Sequence, residues 1–125
     1  MFAFMETFIY LCINYKRMEN EFTVDFLEDV DEFFDQISFR AKRKILYDID
    51  KAKKLKDPKL FKKLNDTIWE FRTLFEGQHY RLLAFWDKGA TKLIICTHGF
   101  VKKTAKVPKK EIAKAENLRN QYFKQ

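Results

Sequence analysis

The chain has 125 residues, a net charge of +7 from 25 Lys and Arg against 18 Asp and Glu, and 46% hydrophobic residues including 14 Phe. That length allows one domain with a real core and excludes two, and the composition excludes a disordered chain. Two cysteines, Cys12 and Cys96, exclude a disulfide scaffold and a cysteine-rich zinc site, and fit reduced thiols in a cytosolic protein.

The first 17 residues stand apart. Met1 to Ile13 is apolar except for Glu6 and Thr7, shorter than a membrane span needs. Lys16 and Arg17 follow this stretch, whereas a signal peptide carries its positive charge in front. Residues 1–17 therefore read as an N-terminal extension or the product of a misplaced start codon, with the domain proper over 18–125. Phe22 to Phe26 alternates apolar and polar, which predicts a half-buried strand. Val30, Phe33, Phe34 and Ile37 then recur at helical spacing and predict a short acidic helix.

Ser38 is placed to cap a second helix, in which Ala41, Ile45, Ile49, Ala52 and Leu55 form one apolar stripe. Asp57-Pro58 ends it, because the residue before proline is pushed out of helical geometry. Residues 59–66 read as a basic loop. Three strands follow, near 67–73, 79–86 and 92–98, with turns at Gly77 and Gly89. The short spacing predicts an antiparallel meander. The last two strands are apolar on both faces, so they are expected at the centre, with helices covering one side. After a loop at 99–107, Pro108 suits the first turn of a helix whose stripe is Ile112, Ala115, Leu118 and Tyr122. The order β-α-α-β-β-β-α predicts an α+β domain: an antiparallel sheet of about four strands, two N-terminal helices on one side, and a C-terminal helix.

Charge is segregated along this order. Eight acidic residues and no basic one lie between Glu19 and Asp35, whereas Arg40 to Lys63 holds eleven basic residues against three acidic. Eight more basic residues follow Gly99, against two acidic. Such a dipolar chain suits a polyanionic partner, although solvated helix faces give the same pattern.

Chemistry is expected where charged groups interrupt the strands. Alternation puts Ile68, Glu70 and Arg72 on one face of their strand, Arg81 with Leu83 and Phe85, and His98 with Cys96 and Ile94. If residue 72 pairs with 81, and 81 with 96 or 98, then Glu70, Arg72, Arg81 and His98 converge on one concave surface. Arginine forks match phosphate oxygens, and fixed cations stabilise a pentacoordinate phosphate. Glu70 or His98 could take a proton from an RNA 2′-hydroxyl, with the other or a lysine protonating the leaving oxygen. There is no carboxylate cluster to hold magnesium. Lys102, Lys103, Thr104 and Lys106, with Lys54 and Lys62 from the earlier basic stretch, are the candidates for binding RNA. The same residues also admit plainer readings: a cross-strand ion pair at Glu70, a strand-end cap at His98, and a solvated lysine loop. Cys96, Trp69 and Trp86 read as core.

Ile68-Trp69-Glu70-Phe71-Arg72, the Tyr80-Arg81-Leu82 step, and His98-Gly99-Phe100-Val101-Lys102-Lys103-Thr104 followed by Pro108 resemble the phage-derived branch of the RelE/HigB toxin superfamily. The resemblance covers about Met18 to Tyr122. It implies the toxin of a type II toxin–antitoxin module that cleaves mRNA, typically on the ribosome, by attack of the 2′-hydroxyl without metal or cofactor. It also implies a helix-turn-helix antitoxin as partner, and no membrane.

By the same resemblance Arg81 contacts the scissile phosphate, Arg72 is a basic position one strand earlier, and Lys102 and Lys103 bind or protonate the RNA. His98 lies near where some relatives use a histidine. Paired lysines used by some relatives are replaced here by Ile68 and Glu70. Some members use a C-terminal tyrosine; Tyr122 is the only candidate in the last helix here, and it fits the core-facing stripe better. The general base stays open. The alternatives are a toxin-like domain that binds RNA without cleaving it, and a module that only holds an antitoxin.

Overall fold

The computed structural model describes residues 21–125; the reading of residues 1–17 as an extension lies outside them. The chain runs β1 (Thr23–Phe26), α1 (Glu28–Gln36), α2 (Phe39–Lys54), β2 (Phe61–Lys63), β3 (Trp69–Phe75), β4 (Gln78–Asp87), β5 (Leu93–Lys102) and α3 (Lys109–Lys124). This is the α+β order anticipated, with one strand added.

The added strand is β2, in the stretch expected to be a basic loop. Three residues are too few for alternation to register in sequence, yet Phe61 lies opposite Phe71 and stacks on its ring at 4.4 Å. Lys62 and Lys63 then decorate an outer strand, where charge discourages further pairing.

The sheet order is β1-β5-β4-β3-β2. β2 through β5 form the expected antiparallel meander, but β1 pairs with β5 in parallel, Thr23 opposite Leu93 and Phe26 opposite Cys96. The sheet is therefore mixed rather than wholly antiparallel. Both helices after β1 carry the chain from one edge to the other, so the meander returns with its last strand running alongside the first.

Helices cover both faces, not one. On the first face Val30, Phe33 and Phe34 of α1 and Ala41, Ile45, Ile49 and Ala52 of α2 pack on Phe71, Tyr80, Leu82, Ala84, Ile94 and Cys96. Ser38 caps α2 as expected, its hydroxyl accepting from the Ala41 amide at 3.1 Å. Leu55, the last member of the predicted stripe, falls beyond the helix and is half exposed. On the second face α3 sets Ala115, Ile112 and Tyr122 against Ile68, Leu83, Phe85 and Ile95. The Tyr122 hydroxyl donates to Asp87 at 2.6 Å, six residues along β4 from Arg81. That places it away from the arginines.

Two local devices shape the meander. Glu76 and Gly77, both at positive φ, close the β3–β4 hairpin between the paired Phe75 and Gln78, as a two-residue turn of matching twist demands. Gly99 lies inside β5 rather than starting a loop. A Cβ there would sit 2.2 Å from Cδ2 of Phe33 and 2.6 Å from Cδ2 of Leu82, so the bare backbone is what lets α1 press on the sheet.

Candidate active site

The expected pairing of Arg72 with Arg81 is observed. Residues directly opposite one another share a face, so Lys62 opposite Glu70, and Arg72 opposite Arg81, put four of the candidates on the second face. Arg81 then lies opposite Phe100 of β5, not residue 96 or 98, and Lys102 follows on the same face two residues later.

His98 reaches that face by a different route. Plain alternation groups it with Cys96 and Ile94. A bulge between Leu83 and Ala84 leaves Thr97 as the extra residue of β5, so Leu83 opposes His98 while Ala84 opposes Cys96. Everything beyond Thr97 is inverted in facing. His98 accordingly joins Leu83 and Arg81, while Cys96 stays in the core under α1 and α2, where burial pushes its thiol pKa up.

Lys62, Glu70, Arg72, Arg81 and Lys102 form the heart of the site, four cations around one carboxylate. Glu70 divides its oxygens: Oε1 lies 3.5 Å from Arg72 Nε, and Oε2 lies 3.5 Å from Arg81 Nε. Each guanidinium has a second anchor. Arg72 Nη1 donates to the Pro58 carbonyl at 3.4 Å, and Arg81 Nη1 donates to the Tyr80 carbonyl at 3.0 Å. Among the described residues, Glu70 Oε2 and both Nε atoms are buried without a hydrogen-bond partner, the 3.5 Å contacts being ion pairs.

Exposure sorts these groups into tiers. The side chains of Glu70 and Arg81 are 4% and 3% exposed, whereas that of Arg72 is 31% exposed. Lys62 is open and Lys102 partly so. Arg81 is therefore the floor of the site rather than its open surface, which corrects the expectation of direct access to it. Burial holds the Arg81 pKa below its ordinary value despite the attraction of Glu70, with Arg72 adding to the depression. Lys102 is depressed too, first by its burial, then by Arg81, with Arg72 and Lys62 acting the same way and Glu70 opposing. Its ammonium donates to the Ala105 carbonyl at 3.4 Å.

His98 is on the right face but sealed, 2% exposed beneath the first turns of α3. The single Thr97 hydroxyl proton goes to the Leu83 carbonyl at 3.2 Å, so the oxygen accepts from His98 Nδ1–H at 2.9 Å. Nε2 then faces Glu111 at 3.7 Å and makes no hydrogen bond among the described residues. Burial, reinforced by Lys114 and opposed by Asp29, lowers the His98 pKa to about 4. A buried, neutral imidazole without solvent access cannot exchange a proton with an RNA hydroxyl, so the structure removes His98 from the candidate acids and bases. Neither Thr97 nor Glu111 was legible as its partner, since a bulge leaves no mark in a single sequence.

This burial carries an expected pH dependence. The unfolded histidine takes up a proton near pH 6.5, whereas the folded one resists until about 4, so stability is intact above that window and falls as the pH drops through it. Between pH 7 and pH 5 the loss from His98 is about 2 kcal/mol. Urea unfolding should show this slope in the wild type and a flatter one in His98→Gln. Parallel curves would show that His98 does not carry it.

The remaining candidates are dispersed. Lys103, Thr104 and Lys106 lie exposed in the connection to α3, where the Thr104 hydroxyl donates to the Lys106 carbonyl at 2.6 Å. They follow Lys102 directly in the chain. Lys54 ends α2, which packs on the opposite face of the sheet, so it does not join them. Trp69 and Trp86 meet edge to face at 6.2 Å on that opposite side, beside a cleft of about 490 Å³, and are not platforms for the cation cluster. Among the described residues no helix is long and apolar enough to cross a membrane.

The family model for phage-derived Gp49-like proteins (DUF891) matches residues 32–120, a span that includes every member of the cluster. No curated protein matches the chain.

Proposed function

Because the chain belongs to the Gp49-like phage-derived family, which is associated with toxin–antitoxin modules, we propose that it is the toxin of such a module and an endoribonuclease. The observation that carries this reading is the gathering of Arg72, Arg81, Lys102 and Lys62 around a single carboxylate on one sheet face. A cluster with that excess of positive charge fits a phosphodiester, whose charge grows as the 2′-oxygen attacks.

In this mechanism Arg72 and Lys102 touch the non-bridging oxygens of the scissile phosphate. Arg81 lies beneath and adds its field without needing solvent access. The 2′-oxygen forms a bond to phosphorus, the bond to the 5′-oxygen breaks, and the products are a 2′,3′-cyclic phosphate and a 5′-hydroxyl. Lys102, its pKa depressed by burial and by Arg81, is placed to protonate the leaving 5′-oxygen. The 2′-proton passes to solvent water, since Glu70 lies buried between the two guanidiniums, and no metal enters the scheme. Lys62, Lys103, Thr104 and Lys106 follow the RNA backbone. The substrate is mRNA, engaged on the ribosome. The partner is a helix-turn-helix antitoxin, and the basic face suits an acidic segment of it.

The test is induced expression in a bacterial host. Wild type should arrest growth and Arg72→Ala should not, at matched levels of soluble protein. Harmless wild type at high soluble expression would remove the toxin reading. The buried position of Arg81 favours one alternative, a domain that binds RNA without cutting it. Salt-sensitive RNA binding with intact RNA recovered would select that alternative.

A further inference from the structure

The carboxylate at the centre of the cluster is used neither by the fold's core nor by an ordinary paired bridge. Glu70 faces two guanidiniums on separate oxygens, both at 3.5 Å and neither in hydrogen-bond geometry. Both arginines present the same edge to it, their Nε, and each has its Nη1 tied to a backbone carbonyl. A rigid, planar guanidinium hydrogen-bonded at Nη1 and drawn toward a carboxylate at Nε is oriented by the two together. Among the described residues, Glu70 is the group that forms an ion pair with both arginines.

Resting on the endoribonuclease reading, we propose that Glu70 is a positioning residue that aligns Arg72 with Arg81 and, as an internal anion, competes with the RNA phosphate for them. Its two effects have opposite signs. Alignment speeds the chemical step, since fixed donors need no reorganisation as charge develops on phosphorus. Competition weakens phosphate binding, since part of the cationic field is already answered. The long ion pairs are what such a compromise requires. A tight bidentate pair would use up the guanidinium edge and leave less for a ligand.

A merely structural glutamate predicts something different: binding and turnover would decline together as the site loosens. The Glu70→Gln variant separates the two, since it keeps the side chain's size and removes its charge. Binding of a labelled 12-nucleotide single-stranded RNA should tighten several-fold. The plot of log affinity against log salt should steepen by about 0.7, the contribution of one further phosphate contact on a single strand. Turnover on the same RNA should fall about 10²-fold, the scale of a misplaced catalytic group. Unchanged turnover, or affinity and turnover falling in step, would overturn the proposal.

A second measurement needs no variant. In ¹⁵N-labelled wild type, the Nε–Hε resonances of Arg72 and Arg81 should shift together with one midpoint as inorganic phosphate is added. Independent midpoints would show that Glu70 does not couple them. Ribonuclease activity and the role of Glu70 fail separately. A wild type that leaves RNA intact removes the endoribonuclease reading, while the salt slope and the paired resonances still judge whether Glu70 aligns and competes.

Discussion

Lys102→Ala should slow RNA cleavage by about 10²-fold or more, the usual contribution of a positioned proton donor, and should leave the thermal midpoint almost unchanged. The stability half follows from the structure. Lys102 is partly exposed at the end of β5, and its ammonium reaches the Ala105 carbonyl at a long 3.4 Å. Little is lost to the fold when it goes. The activity half follows from its surroundings. Burial and the neighbouring Arg81 lower its pKa, so it releases a proton more readily than an ordinary lysine. A general acid works in its protonated form, so wild-type activity should fall as pH rises through that lowered pKa. The variant should lose this alkaline limb along with the rate. A variant that keeps the limb would assign the proton to another group, and one that keeps the rate would remove Lys102 from the chemistry.

Gly99→Val should destabilise the fold by about 3 kcal/mol, the upper part of the usual range for overpacking a tight interior contact. Gly99 faces the first helical layer from the middle of β5, opposite Leu82. The first added carbon already comes within 2.2 Å and 2.7 Å of two Phe33 ring atoms, and Phe33 is itself 8% exposed with little room to swing. α1 would have to lift from the sheet. Urea unfolding should show a lowered midpoint, and adding Phe33→Leu should recover part of it, because residues in contact do not act additively. Equal stability of Gly99→Val and wild type would mean that α1 does not bear on β5 as described.

The same glycine shows why the sequence was legible only in part. Read alone, His98-Gly99 marks the end of a strand, since glycine usually punctuates structure. Here it is demanded by a ring arriving from α1, and no local pattern reports that. The apolar stripes of α1 and α2, the Ser38 cap and the turn at Gly77 were readable because each depends on neighbours along the chain. β2 was not, because a three-residue outer strand is held by Phe61 stacking on Phe71 across the sheet. The parallel seat of β1 beside β5 is likewise a matter of chain path.

The candidate site divides along the same line. Glu70, Arg72 and Arg81 could be grouped from alternation and one assumed pairing, which the hairpin turn enforces. The position of His98 could not, since the extra residue at Thr97 reverses the facing of everything after it, and α3 then closes over the ring. Nor could the depth of Arg81 be read from its neighbours in sequence, because the groups beside it, Glu70 and Arg72, come from another strand. Charge counts pointed to a basic surface but gave Lys54 and Lys62 equal standing. Only the sheet separates them, Lys62 opposite Glu70 and Lys54 on the far side.

The most direct measurement is cleavage by the purified protein of one RNA in two forms, in excess chelator, with and without a single 2′-deoxy substitution at the cleaved nucleotide. The all-ribose strand should be cut, with a 2′,3′-cyclic phosphate product, and cutting at that position should cease once the hydroxyl is removed. Equal cutting of both strands, or cutting that stops when divalent ions are chelated, would contradict this mechanism.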